Sequence, residues 1–246
     1  METTKGGTTG ESMRIVVVCT SRSSGAAVAN ILEKKYNLNN LSEVFADGGR
    51  LTGNIRTKLK KLKKIDNYVA RVTSTTFLQA KYFTHKNFPW KIFDKIVLVE
   101  RDFVETCASW FITSFSQING YSEASEMNTF LEEKLKTPED ILLDEEQLKN
   151  IVKDTDFFYS VVKPYMITNY PQVCIISREL VNRPQEEFLP ILSNILGDEI
   201  TTEHLEVQRF PKDYSDFIQQ SGLTDVVNSI REKLHAIPDT PRDNAV

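Results

Sequence analysis

RIVVVCTSRSSGAAVANIL, residues 14–32, is the stretch on which the fold turns. Residues 14–20 form a short continuous apolar run rich in β-branched side chains, the pattern of a strand buried on both faces of a parallel sheet. The small-residue loop SRSSG follows at once. Residues 26–36 then place Ala27, Val28, Ile31 and Leu32 on one helical face, so the unit reads strand, loop, helix. Further along, the pattern predicts strands over residues 67–72 (NYVARV), 95–100 (KIVLVE) and 172–177 (QVCIIS), separated by segments of helical spacing. That alternation implies an α/β fold with a mainly parallel sheet flanked by helices and joined by right-handed crossovers.

The whole chain suits one large domain, because 246 residues with 40% apolar and 26% charged composition can bury a sizeable core. This composition excludes disorder and a disulfide scaffold. Residues 1–12 are rich in Gly, Thr and Glu without periodicity and are expected to form a disordered tail, with a single domain over 13–246. No apolar run approaches the roughly 20 residues of a membrane span, and the first residues show neither an apolar core nor a basic flank of a leader. The expectation is a cytoplasmic protein without a membrane span. Cys19, Cys107 and Cys174 lie in apolar stretches without a C-x-x-C spacing and read as reduced core thiols. His85, His204 and His235 are too scattered for a metal site, and no metal is expected.

A net charge of -4 argues against a nucleic-acid partner but conceals an internal asymmetry. Arg56, Lys58, Lys60, Lys61, Lys63 and Lys64 crowd residues 56–64, with Leu59 and Leu62 as a thin apolar seam. This run reads either as a solvated helix face or as a surface that attracts an anionic substrate or partner. Against it, residues 123–156 hold 11 acidic and 4 basic side chains inside what reads as a helical insertion at about 119–170. There Thr137 suits a cap, Pro138 a first helical position, and the early acids the helix dipole. No chemistry is assigned to the acidic stretch, and the sequence sets no oligomeric state.

The loop after the first strand is a candidate anion site. A loop running from a buried strand into a helix brings free backbone N–H groups and the positive end of the helix dipole to the carboxyl edge of the sheet. Ser23, Ser24, Gly25, Ala26 and Ala27 are small enough for close approach to a phosphate, and Arg22 supplies a planar, permanently charged donor. An ordinary tight turn is the alternative. The G-x-x-x-x-G-K-[ST] and G-x-G-x-x-G patterns are both absent. A second constellation follows the strand KIVLVE: Arg101 stands at its end, and residues 102–115 continue as a helix with Val104, Ala108, Phe111 and Phe115 as the expected buried stripe. Asp102 is a plausible cap, while Asp102, Glu105 and Ser109 share a different face. Ser109 is about 10 Å along the axis, within reach of a phosphate that also meets Arg101.

Together these segments resemble the sulfotransferase superfamily, which moves a sulfuryl group from 3′-phosphoadenosine 5′-phosphosulfate (PAPS). The closest likeness is to bacterial carbohydrate sulfotransferases of the trehalose type. CTSRSSGAAVANIL matches that family's 5′-phosphosulfate loop, R-S-G-S-T; residues 41–45 (LSEVF) match a glutamate before an aromatic; Arg101 and Ser109 match the 3′-phosphate motif, an Arg at a strand end with a Ser eight residues later. VCIISRELVNRPQEEFLPILSNILG resembles the late strand, E-x-L and following helix. The likeness touches about residues 14–45, 67–116 and 172–198, in the family's order.

The resemblance implies a three-layer, P-loop-like fold and a metal-free transfer from PAPS to a small-molecule or glycan hydroxyl, with adenosine 3′,5′-bisphosphate (PAP) as product. It places Arg22, Ser23, Ser24, Gly25, Ala26 and Ala27 around the leaving phosphate, Arg101 and Ser109 at the 3′-phosphate, and Glu43 as the base. Residues 199–246 match nothing in the family, and there Arg209 and Lys212 could close over the donor. The sequence departs from the family in two places. Ala26 stands where the loop carries a hydroxyl, and Arg178-Glu179-Leu180 lacks the tyrosine of Y-E-x-L. Two alternatives therefore stay open: a sulfotransferase-like protein that binds a nucleotide or partner with weakened catalysis, and a nucleotide kinase of related fold, against which the missing Lys-Ser/Thr pair speaks.

Overall fold

The computed structural model describes residues 12–47, 50–51, 54–79, 84–121, 129–130, 133–137, 141–181, 183–205 and 214–236. Its strands are β1 (Arg14–Cys19), β2 (Asn39–Glu43), β3 (Ala46–Asp47), β4 (Arg50–Leu51), β5 (Tyr68–Thr73), β6 (Lys95–Glu100) and β7 (Cys174–Ser177). Five of them form one sheet in the order β2-β5-β1-β6-β7, and every pairing in it is parallel. β3 and β4 make a separate antiparallel ribbon. The expected strands are present, one with the expected bounds and three differing by one or two residues at an end. β2 was not foreseen as a strand, because NNLSE lies at the sheet edge and lacks an apolar alternation.

β1 is central, as its unbroken apolar run requires. Ile15, Val17 and Cys19 face one side, where Val28, Ile31 and Leu32 of α1 (Gly25–Tyr36) pack beside Phe188 and Leu192 of the later helix Gln185–Leu196. Val16 and Val18 face the other, against α2 (Ile55–Leu62), Phe77 of α3 (Ser74–Gln79), and Phe158, Val162 and Met166. Each fully buried Val or Ile contributes roughly 1.5–3 kcal/mol. The sheet is therefore held from both faces, as the middle of three layers. A further cluster lies among four helices: α4 (Phe103–Ile118), α5 (Glu145–Phe157), and two near the end of the chain, Ser215–Gln220 and Leu223–Ala236. Numbered in chain order, α6 is Lys163–Asn169, α7 Arg178–Val181, α8 Gln185–Leu196, α9 Ser215–Gln220 and α10 Leu223–Ala236.

The basic run occupies α2 and the turn after it. Ile55, Leu59 and Leu62 are buried, while Arg56, Lys60, Lys61, Lys63 and Lys64 are exposed, and the Asn54 side chain caps the helix by accepting the Arg56 N–H at 2.9 Å. The acidic helix begins at Glu145, with Asp144 accepting the Gln147 N–H at 3.1 Å. Pro138, expected at its first turn, lies outside the described residues. The stretch expected as an insertion divides between two environments: α5 packs on α4 and α10, whereas Phe158, Val162 and Met166 lie on the sheet. A five-residue π-helical segment, Phe158–Val162, joins them. All three cysteines are free, Cys19 and Cys107 buried and Cys174 half-buried; burial pushes the first two thiols up to about 11 and about 12. Among the described residues no helix is long and apolar enough to cross a membrane.

Candidate functional site

The loop between β1 and α1 has a backbone unlike an ordinary turn. Arg22 (φ 68°) and Ser24 (φ 70°) are both left-handed, with Ser23 between them on the usual side. Alternating hands turn successive N–H groups toward one concavity, a geometry suited to an anion. Ser24 is the N-cap of α1, but an N-cap normally has extended torsions and lends its side chain to the first turn. Here the hydroxyl makes no capping bond, and the first turn contains no acid. The opening N–H groups of α1 are thus left uncapped by side chains. Ser23 is differently employed: it is buried, and its hydroxyl donates to the Thr20 carbonyl at 2.8 Å, which holds the loop's own shape. Gly25 lets α1 start directly over β1, since a Cβ there would lie 2.5 Å from Cys19 Sγ. Ala26 and Ala27 are exposed.

The neighbouring strand delivers the second cation. Arg101 follows the last residue of β6 and is 3% exposed. Its Nε donates to Glu105 Oε2 at 2.9 Å, and NH1 donates to the Arg22 carbonyl at 3.3 Å, so β6 and the β1 loop are tied at the carboxyl edge. Tyr159, on the π-helical segment, accepts the Arg101 N–H at 3.1 Å and donates to the Arg101 carbonyl. Burial pushes the Tyr159 phenol up to about 12, so it stays a donor. Asp102 caps α4 by accepting the Glu105 N–H at 2.9 Å, as expected. Its own N–H donates to Glu179 at 3.2 Å. Burial would raise the Glu179 carboxyl, but hydrogen bonds from Ser177 and the backbone, with the Arg101 charge, hold it below its ordinary value.

Ser109 lies outside the stripe of Val104, Ala108, Phe111 and Phe115. It is buried, because α4 packs on two sides: Thr106, Cys107, Ser109, Ile112 and Thr113 are buried with Ala108 and Phe111, while Val104 and Phe115 are half-buried. What covers Ser109 is Tyr214, whose hydroxyl accepts from Ser109 Oγ at 3.4 Å. The same tyrosine lies under the Arg101 guanidinium, 5.3 Å from Cζ to the ring centroid, and stands near the Arg22 side chain. Arg22, Arg101 and Ser109 therefore converge on one residue. The Arg22 side chain retains exposed surface, yet desolvation of its guanidinium, with Arg101 nearby, lowers its pKa from the ordinary value. Two guanidinium groups held this close favour an anion between them.

Two features of this edge carried no clear signal in the sequence. Tyr214 stands in QRFPKDYSDFI, where Arg209 and Lys212 attract attention; both of those lie outside the described residues. Arg178 pairs by register with this region, since Glu100 faces Ser177 across β6 and β7, making Arg101 and Arg178 the next residues of adjacent strands. Arg178 is 8% exposed, and its Nε and NH1 make no hydrogen bond to the described residues. Burial of a guanidinium without a partner is costly. Glu43 ends β2, opposite Arg71 of β5, half-buried beside the buried ring of Phe45. With β5 intervening, it lies two strands from β1, about 10 Å across the sheet on the same carboxyl edge. Among the described residues no three His, Cys, Asp or Glu side chains gather into a group that could hold a metal ion. Neither a protein-family model nor a curated protein sequence matches the chain.

Proposed function

We propose that the protein is a sulfotransferase with a P-loop-like fold, moving a sulfuryl group from PAPS to the hydroxyl of a small-molecule or glycan acceptor. The observation that carries this reading is the convergence of Arg22, Arg101 and Ser109 on Tyr214 beside the uncapped start of α1. A donor with phosphate groups at two positions suits such an edge, with the loop N–H groups and Arg22 assigned to one and Arg101 and Ser109, now covered by Tyr214, to the other. Arg178, buried and short of partners beside Arg101, fits the same charge.

In the reaction the acceptor oxygen forms a bond to sulfur as the bond from sulfur to the phosphate oxygen breaks, leaving PAP and a sulfate ester. The protein's part is positioning and stabilisation of charge on the leaving phosphate, which falls to Arg22 and the first-turn N–H groups. Glu43 takes the acceptor hydroxyl proton. The test is calorimetry with PAP and with AMP. PAP should bind far more tightly, and Arg101→Ala should abolish most of the difference; equal affinity in the parent protein would remove the donor assignment.

A second reading, a sulfotransferase-like binding protein with weakened catalysis, is favoured by one observation. Ala26 has no hydroxyl and that of Ser23 is committed to Thr20, which leaves the loop the hydroxyls of Ser21 and Ser24. Sulfate transfer from labelled PAPS to pooled acceptors separates the two readings.

A further inference from the structure

The cations of α2 are not answered by acids. Arg56, Lys60, Lys61, Lys63 and Lys64 are exposed, and among the described residues none of them has an ion-pair partner. The first turn of the helix contains no acid, so Arg56 stands at the positive end of the dipole, and Arg56 and Lys60 repel each other across one turn. What holds the helix is the burial of Ile55, Leu59 and Leu62 together with the Asn54 cap. The same layer continues in residues 84–93. There Phe88, Trp90 and Phe93 are buried in one cluster with Leu59 and Leu62, while Lys86 and Lys91 are exposed and likewise unpaired among the described residues. Two acids lie close in sequence, and both are occupied by Arg14: Asp66 pairs with its guanidinium at 2.6 Å, and Asp94 accepts its N–H at 2.7 Å. One layer therefore presents seven uncompensated cations on a chain whose net charge is -4.

We propose that this face docks on the surface of an anionic lipid bilayer, held by headgroup charge rather than by insertion. The composition of the face selects that partner. Protein interfaces concentrate aromatic and apolar side chains and are depleted in lysine. Here Phe88, Trp90 and Phe93 are turned inward, and the exposed large apolar side chains Ile118, Leu142, Ile167 and Ile191 belong to other elements. Nucleic acid is gripped by arginine forks and by rings on which bases stack. Among its described residues the face offers one arginine and no exposed ring. A bilayer asks only for positive charge spread over an area, and a cluster of about four to eight Lys or Arg on an amphipathic helix meets that demand.

The chain path sets how the molecule lies on such a surface. β2 ends at the carboxyl edge with Glu43, and after the β3–β4 ribbon α2 leads back to the start of β5 at the amino edge. Arg56, Lys60 and Lys63 follow one another along about 10 Å of that path. α1 and α8 cover the other face of the sheet, and the loop after β1 opens at the carboxyl edge, beside the contact rather than beneath it. The net negative charge does not prevent docking, because at about 0.1 M salt charges more than about 10 Å apart are largely screened and the local patch decides. The docking is independent of the reading under Proposed function.

The experiment measures co-sedimentation of the full chain with vesicles of phosphatidylcholine alone and of phosphatidylcholine with about 30% phosphatidylserine, at about 0.1 M and about 0.5 M salt. Binding should be confined to the serine-containing vesicles and fall at least about tenfold at the higher salt. Each cation brought to such a surface is worth about fivefold in binding. Lys60→Gln, Lys61→Gln, Lys63→Gln and Lys64→Gln together should therefore weaken binding at least about twentyfold, a loss that needs only two of the four to touch. A charge-matched variant, Lys34→Gln, Lys149→Gln, Lys153→Gln and Lys233→Gln, removes exposed lysines of other helices and should stay within about threefold of the parent. All eight side chains lie at the surface or beside it, and circular dichroism checks that both variants are folded. Absence of vesicle binding, equal binding to neutral vesicles, indifference to salt, or equal loss in the two variants overturns the inference. Binding of single-stranded RNA or polyglutamate in place of the vesicles assigns the face to another partner and overturns it as well.

Discussion

Gly25→Ala probes how closely the anion loop depends on one missing atom. Gly25 does not have a positive φ, so the demand for glycine is one of space rather than torsion. The added Cβ would lie 2.5 Å from Cys19 Sγ, 3.2 Å from Cys19 Cβ and 3.7 Å from Val17 Cγ1. Against a comfortable separation of about 3.5–4.0 Å, relief requires a displacement of about 1 Å, by the thiol leaving its rotamer or by α1 lifting off β1. Such overpacking costs about 1–3 kcal/mol, offset by up to about 1 kcal/mol from alanine's better helix propensity. A net loss of about 1–2 kcal/mol corresponds, for a chain of this size, to a fall in Tm of about 2–8 °C. Thermal unfolding measures it, and the double variant with Cys19→Ala tests the cause. Removal of Sγ should bring the double variant at least about 1 kcal/mol above the sum of the single losses. PAP affinity should fall in Gly25→Ala alone and partly return in the pair. A Tm within 1 °C of the parent, or strictly additive losses, would refute the steric argument.

Three further outcomes are expected. Ala26→Thr should tighten PAP binding about tenfold, near 1.5 kcal/mol for a hydrogen bond to a charged group, with Ser24→Ala weakening it; if Ala26→Thr changes nothing while Ser24→Ala abolishes binding, the loop has transferred the hydroxyl's task to Ser24. Glu43→Gln should retain PAP affinity and lose most transfer, and unchanged turnover eliminates Glu43 as the base. The Glu179 carboxyl, held low in the folded protein, contributes stability above the unfolded glutamate value of about 4.3, lost as pH falls through the lower folded value. Glu179→Gln should therefore flatten the acid limb of a Tm-against-pH curve; superimposable limbs would show that its bonds to Ser177 and Asp102 carry no linkage.

What was legible in the sequence was local. The unbroken run of β1, the small residues after it, the cap at Asp102 and the Arg at the end of β6 each follow from neighbours a few positions apart, and the structure has them there. β2 escaped because an edge strand needs no apolar run. Asp154 looked like one solvated acid among many, and only the packing of α5 against α3 and α4 shows which turn of the helix faces inward. Helical spacing records one buried stripe and sets Ser109 on a different face, whereas α4 is covered on two sides. Arg178 resembles any charged residue after a strand until the β6–β7 register sets it beside Arg101. Tyr214 is joined to Ser109 across 105 positions, a separation that no periodicity bridges.

That same separation has a consequence for the order in which the molecule is made. β1, its loop and α1 are contiguous, and β6 and α4 follow well within the first half of the chain, so both cationic elements exist as local structure early in synthesis. Tyr214, which spans Arg22, Arg101 and Ser109, arrives only with the C-terminal helices, and those helices are also the packing partners of α4. On the proposed function, competence to bind the donor is therefore reached only after the sheet is in place. A bound phosphate ligand would act as a latch on that last step, drawing the C-terminal helices and the loop into one cooperative unit and making resistance to proteolysis near residue 214 a direct gauge of occupancy.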